Sequence, residues 1–212
     1  MRSIKLILCL SALLTSLTAM AYEEPAFTEV AVIDGIEYRH YDAYLVAETI
    51  VADDVDRDQA ASIAFRRLFD YIRGANSVST SIEMTTPVRQ KPVSRKIDMA
   101  TPVRQEPRAD GWAVSFVVPR AFNQENAPQP THPDVYLREI PAERVAVLRY
   151  SGRWTTGNIS ASTAKLLSGL AAAGVEPSGE VVTAFYNAPF SLPPLRRNEV
   201  MVNVVEFPQA GG

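Results

Sequence analysis

Twice along this 212-residue chain, strand patterns lead into an amphipathic helix pattern and out again into strands. That order predicts an α+β protein: a twisted, mostly antiparallel sheet or distorted β-barrel built from two similar halves and flanked by two α-helices. A local duplication points the same way. Ile82-Glu83-Met84-Thr85-Thr86-Pro87-Val88-Arg89-Gln90 returns fifteen residues later as Ile97-Asp98-Met99-Ala100-Thr101-Pro102-Val103-Arg104-Gln105. With no other repeat in the chain, this is one extended unit used twice, because stacked repeats need several copies.

The elements follow in order. Phe27 to Ile33 and Ile36 to Tyr41 alternate about Asp34-Gly35, a strong two-residue hairpin signal, and Tyr44 to Val51 is rich in β-branched and aromatic residues. Asp56, with Gln59 three residues on, predicts a helix start, Ala61, Phe65, Leu68 and Ile72 mark its apolar face, and Gly74 its stop. Trp112 to Val118, Val135 to Ile140 and Arg144 to Tyr150 read as strands, the first two separated by a proline-dense loop over 119–133. A second helix is expected over Asn158 to Ala173, capped by Asn158, facing inward with Ile159, Thr163, Leu166, Leu167 and Leu170, and stopped by Gly174. Val181 to Asn187 and Val200 to Val205 close the fold. No linker composition interrupts the chain, so one domain is expected over 22–212.

Residues 1–21 read as an export signal, with Arg2 and Lys5 before the apolar run Leu6 to Leu17 and Ala19-Met20-Ala21 as the cleavage site. The run is shorter than the roughly 20 residues a membrane span needs. The expected product starts at Tyr22, is exported to the periplasm or beyond, and carries no cysteine, since Cys9 leaves with the signal. Disulfides, thiolate metal sites and cysteine nucleophiles are thereby excluded from it. Loss of Arg2 and Lys5 takes the formal charge from −3 to −5. An acidic chain with no basic stripe is a poor nucleic-acid binder. The Arg66, Arg67 and Arg73 cluster is interrupted by Asp70 and suits a solvated helix face.

If the duplicated copies pair antiparallel, Glu83 faces Arg104, Arg89 faces Asp98, and Met84 and Met99 face Val103 and Val88. Such exposed ion pairs would be worth about 1 kcal/mol or less and would set register more than stability. Pro87 and Pro102 argue against a regular ladder, and leave open a loop folded over a pocket. Met84 and Met99 suit pocket lining, as methionine fills irregular apolar gaps. No H-E-x-x-H, G-x-S-x-G or phosphate-cradling loop is present. Asn158-Ile159-Ser160 matches a glycosylation triplet too short to carry weight.

The repeated Met-Thr/Ala-Thr-Pro-Val segments resemble the signature of the SOUL haem-binding family. The likeness extends through Glu37-Tyr38-Arg39-His40-Tyr41, Phe65 to Asn76, Trp112 to Pro119, Val145 to Leu148 with Ser151-Gly152, Ala184 to Phe190, and Leu195 to Val200. The resemblance implies a twisted barrel with two helices and binding of haem or another flat tetrapyrrole in an exposed apolar cleft near the first helix; the lack of a clear two-ligand set makes reversible binding the expectation, and a monomer is expected. It also implies His40 as the iron ligand to consider, because a histidine in the Arg-His-Tyr setting serves that role in the animal branch. Imidazole is a common haem ligand. A lone histidine on a strand face is nonetheless more often simply packed. Arg66 and Arg67 are the expected propionate partners, through forked charge-assisted hydrogen bonds. His132 reads as a solvated loop residue. Two other readings stand beside this one: a hydrolase-like enzyme on the same barrel, and a periplasmic partner-binding protein presenting a helix or the Pro189 to Pro194 turn, where Phe190, Leu192 and Leu195 suit either a partner or a pocket rim.

Overall fold

A computed structural model describes residues 23–52, 55–93, 111–187 and 190–208. The first hairpin is β1 (Phe27–Ile33) and β2 (Ile36–Tyr41), with Asp34 and Gly35 both at positive φ, as a two-residue reverse turn requires. Then come β3 (Tyr44–Ala52), α1 (Arg57–Ile72), β4 (Val88–Val93), β5 (Gly111–Val117), β6 (Val135–Ile140), β7 (Glu143–Tyr150), α2 (Thr156–Ala172), β8 (Pro177–Phe185) and β9 (Asn198–Val204). All strand pairs are antiparallel, in the order β1-β2-β7-β9-β8-β4-β5-β3-β6.

Set β1 aside and this order is a palindrome of one β-β-α-β-β unit: β2-β3-α1-β4-β5 matches β6-β7-α2-β8-β9. Registers obey the same symmetry. Tyr41 opposite Glu143 corresponds to Ile140 opposite Tyr44, and the pseudo-twofold axis passes through the central pair Gln90 and Thr183. Each unit lends its first strand to the other, since β2 pairs with β7 and β6 with β3. Neither half therefore completes its own sheet. Two-residue links, Asp42-Ala43 and Pro141-Ala142, connect strands lying near opposite ends of the sheet. A link that short spans only about 10 Å, so the sheet must curl until its ends face each other. The ring of Tyr41 lies 6.3 Å from that of Tyr44, and the Tyr44 hydroxyl donates to Glu143 at 3.3 Å across this seam.

Both helices cover the convex side, α1 over β3, β5 and β6 and α2 over β7, β8 and β9. Asp56 accepts hydrogen bonds from the amides of Asp58 and Gln59, as its sequence position predicts. The buried stripe of α1 is Ala60, Ala64, Leu68, Tyr71 and Ile72. It is rotated from the expected face, leaving Phe65 38% exposed at the flank. On α2 the cap is Thr155 rather than Asn158, and Ser162, Leu166 and Leu170 point inward while Leu167 is exposed. Gly111 opens β5 where a Cβ would collide with the Val51 carbonyl, so a larger residue would break the β3–β5 contact. Leu68 is fully buried in the α1 core with Leu45, Ala47, Val114 and Phe116. Leu68→Ala is expected to lower the unfolding free energy by about 2–5 kcal/mol, read as a shifted urea midpoint with unchanged slope.

The two copies do not pair as a Val88-to-Met99 ladder. Both edges of β4 are occupied, by β5 (Arg89 opposite Ser115) and by β8 (Arg89 opposite Ala184). Arg89 makes an ion pair with Glu143 at 3.3 Å. Residues 81–87 form no strand, consistent with the missing amide proton of Pro87. They fold under α1 instead, with the Ile82 amide bonded to the Ile72 carbonyl at 2.7 Å and the Thr85 hydroxyl to Val117. Asp98, Met99 and Arg104 lie outside the described residues.

Candidate functional site

On the convex side, the row of residues crossing the middle of the sheet is Phe116, Val88, Phe185, Asn198 and Tyr150, each opposite the next. Directly opposed residues share a face, so their side chains all point toward the helices. Phe65 of α1 stands over one end, its ring 5.4 Å from Phe116 and stacked 5.5 Å from Phe69. Trp154, just before α2, stands over the other, 5.1 Å from Phe185, its Nε1 donating to Asn198 Oδ1 at 2.7 Å. Val88, Phe185 and Trp154 are half-buried and Phe65 is exposed. Phe116, Val88 and Phe185 thus form an apolar row on the sheet with Phe65 at one end and Trp154 at the other, and this row, called the trough below, is the candidate site.

Polar groups gather at its rim. The Arg196 guanidinium lies 4.6 Å over the Trp154 ring, and its Nε donates to the Ser191 carbonyl. Arg57, at the first turn of α1, donates to the Trp154 carbonyl, while its own carbonyl accepts from Gln90 at 3.2 Å. The Arg57 Nε and the Tyr150 hydroxyl are buried without a partner. Burial pushes the Tyr150 hydroxyl up to about 12, with the Arg57 charge opposing the shift. Such orphan donors are groups that a bound water or a ligand oxygen would satisfy. Beside the same turn lies an open hollow of about 440 Å³ lined by Asp56, Asp58, Gln59, Ser62 and Ile63, one helical turn from Phe65.

The concave side has a different character. A cleft of about 290 Å³ there is lined by Glu48, Arg89, Lys91, Arg138, Glu143 and Glu180, with Ile140 and Val182 among them. It falls at the lower limit of the roughly 300–1,000 Å³ of small-molecule sites and carries charges of both signs, which suits a flat apolar ligand poorly.

At the other end of the concave face is a buried ionic network that sequence reading did not single out. Arg39 forks onto Glu199 at 3.0 and 3.1 Å, and also reaches Glu37 and the Tyr41 hydroxyl. Glu199 further accepts from Tyr186 at 2.6 Å and Arg197 at 3.0 Å. Arg39 and Glu199 are both fully buried. Burial alone would raise the Glu199 carboxyl, yet its hydrogen bond to Arg39, the Arg39 charge, the Tyr186 hydroxyl and the Arg197 charge hold it below the ordinary range. The same burial and the neighbouring carboxylate push Tyr186 well above its usual value. Every charge here has a partner, so the network seals one end of the barrel rather than offering a site. Its sequence signal was a charged residue inside each of two strand patterns, Arg39 between Tyr38 and His40 and Glu199 ahead of Val200-Met201.

The expected site residues are not brought together. His40 is exposed on β2, opposite Thr28 and Arg144. Three strand spacings separate β2 from β8, about 14 Å, and six residues along β7, about 20 Å, separate Arg144 from the trough row at Tyr150. His40 and the trough are thus separate places. Arg66 is exposed on α1, where it makes no ion pair among the described residues. Arg67 is committed to Thr49, the Ile50 carbonyl and Asp134, tying α1 to β3 and the approach to β6. Met84 is half-buried against the α1 core with Phe69 and Val88. Met99 is outside the described residues. His132 sits in a loop with Nδ1 accepting the Asp134 amide at 3.1 Å. Among the described residues no group of three His, Cys, Asp or Glu could hold a metal ion, and no helix is long and apolar enough to cross a membrane.

Comparison with known proteins completes the picture. The C-terminal domain of EcmrR shares 9% identity at a TM-score of 0.58, covering 81% of this chain and 98% of that one. The same protein in its DNA complex matches over 56% of its length at the same score. A hydrolase from Listeria innocua shares 10% identity over 82% of this chain and 94% of that one, with a TM-score of 0.51. At such identities these likenesses concern the fold alone. A search of curated proteins finds no match. The family model described as SOUL heme-binding protein matches residues 22–203, nearly the whole described fold, and the chain belongs to that family.

Proposed function

We propose that this protein binds haem or a related tetrapyrrole in the trough between α1 and α2, without catalysis, for carriage or buffering. The observation that carries the reading is the continuous apolar row Phe116, Val88 and Phe185 with Phe65 and Trp154 above it, in a chain that belongs to the SOUL family. A tetrapyrrole is a flat apolar disc with carboxylates at one edge. The trough supplies aromatic and aliphatic faces for the disc, and the Arg196 guanidinium over the Trp154 ring puts positive charge at its rim, near where the carboxylates would lie. Haem would add an iron centre, but among the described residues His40 lies apart from the trough and His132 sits in the loop before β6. Binding therefore rests on apolar contact and is reversible, as few directed bonds give modest affinity. In this reading the chain acts as a monomer, exported after loss of residues 1–21.

The test is a titration of the chain from Tyr22 with haem and with metal-free protoporphyrin, followed by Soret absorbance. Saturable binding of both, within a few-fold of each other, is expected, and His40→Ala should leave the haem spectrum unchanged. A spectrum altered by His40→Ala, or haem bound far more tightly than protoporphyrin, would mean that iron ligation governs binding and would overturn this reading.

A further inference from the structure

We infer that the cleft on the concave face is a binding site for a small amphiphilic carboxylate, held by Lys91 and Arg89 of β4. The two cations stand two residues apart on one face of the strand, about 7 Å along it. Their cross-strand neighbours are small: Ala113 opposite Lys91, and Ser115 and Ala184 opposite Arg89. Directly opposed residues share a face, so these short side chains leave room around the two cations, and the cleft of about 290 Å³ opens there. Ile140 and Val182 line it too and offer an apolar wall to the body of the ligand.

The lining carboxylates already have partners. Glu48 accepts from Arg138 at 3.0 Å and from the Tyr136 hydroxyl at 2.7 Å, Glu143 accepts from Arg89 and Tyr44, each at 3.3 Å, and Glu180 is engaged as well. Lys91 differs, because it is half-buried and makes no hydrogen bond or ion pair among the described residues. Arg89, its side chain 11% exposed, spends Nη1 on Glu143 and lies 5.7 Å over the Tyr44 ring. Its Nε and Nη2 have no partner among the described residues and are not sealed in the packing. A carboxylate brings one negative charge and two acceptor oxygens, enough to meet an ammonium and the free edge of a guanidinium together. A cation would have to draw a carboxylate away from its arginine, and a neutral ligand would leave the Lys91 charge covered and unpaired. The cleft and the trough lie on opposite faces of the sheet, so the inference does not depend on what the trough binds.

The experiment is an amide chemical-shift titration of the chain from Tyr22 with benzoate, benzamide and benzamidinium, three probes of one shape that differ in charge. Saturable shifts on β4 and β5 are expected with benzoate, and binding of the other two should be weaker by about tenfold or more, as fits the loss of a charge-assisted hydrogen bond. Lys91→Gln should weaken benzoate by a similar factor, whereas Lys91→Arg, which keeps the charge, should bind it nearly as the natural chain does. No saturation with benzoate, equal binding of the three probes, unchanged affinity in Lys91→Gln, or shifts confined to Phe65 and Trp154 would each overturn it. Protoporphyrin titration of Lys91→Gln, expected to match that of the natural chain, separates failure here from failure of the tetrapyrrole reading.

Discussion

Glu199→Ala is expected to lower the unfolding free energy by about 3–5 kcal/mol, the range for breaking a buried ion pair from one side. The side chain removed has no exposed surface and accepts from Arg39, Tyr186 and Arg197 at once. Without it the Arg39 guanidinium stays buried, with Glu37 and the Tyr41 hydroxyl as its remaining partners. Arginine does not deprotonate in proteins, so Arg39 cannot escape by shedding its charge once Glu199 is gone. The loss should appear as a lower denaturant midpoint, with the slope preserved because the same surface is exposed on unfolding. The sign with pH follows from the depressed Glu199 carboxyl. Its contribution is complete above the unfolded value of 4.5 and is lost as pH falls through the lower folded value. Glu199→Gln should therefore show a shallower loss of stability below about pH 4 than the natural chain. Identical acid profiles for the two would contradict this account of the network.

Phe65→Glu is expected to weaken tetrapyrrole binding by about tenfold or more, equivalent to about 1.4 kcal/mol, while leaving the fold intact. Phe65 is more than a third exposed and lies outside the buried stripe of α1, so its replacement costs little core. In the complex it would be the wall of the trough. A carboxylate there must be desolvated against a flat apolar ligand and also faces the ligand's own negative edge. Leu68→Ala, three residues away on the buried stripe, should show the opposite profile: a large loss of stability with little change in affinity per folded molecule.

Most of the fold could be read from local chemistry. Asp34-Gly35 marks a hairpin because few dipeptides tolerate two positive φ values in succession, and Asp56 marks a helix because its carboxylate can satisfy two free amides. Pairing partners were less legible. Both copies of the duplicated segment alternate well enough to be strands, but the register of Val88 to Val93 is set by β5 and β8, which are distant in sequence. The rotation of the α1 face has a similar cause: Ala60 and Ala64 are buried because the helix lies close on β3 and β5, so small residues form the contact and Phe65 is pushed to the flank. Arg39 escaped notice because alternation tells one face of a strand from the other but does not tell that both are covered. In β2, Tyr38 packs under α2 while Arg39 points into the barrel. The trough itself joins Phe65, Val88, Trp154 and Phe185, which share no motif and meet only through the pseudo-twofold arrangement of β4 and β8.

The central claim is that the trough, rather than His40, holds the tetrapyrrole. Parallel haem titrations of the chain from Tyr22, of Phe65→Glu and of His40→Ala test it most directly. The account predicts saturable binding that is weakened about tenfold or more by Phe65→Glu and is the same, in affinity and Soret position, for His40→Ala. Binding indifferent to Phe65→Glu but lost or spectrally changed in His40→Ala would contradict it.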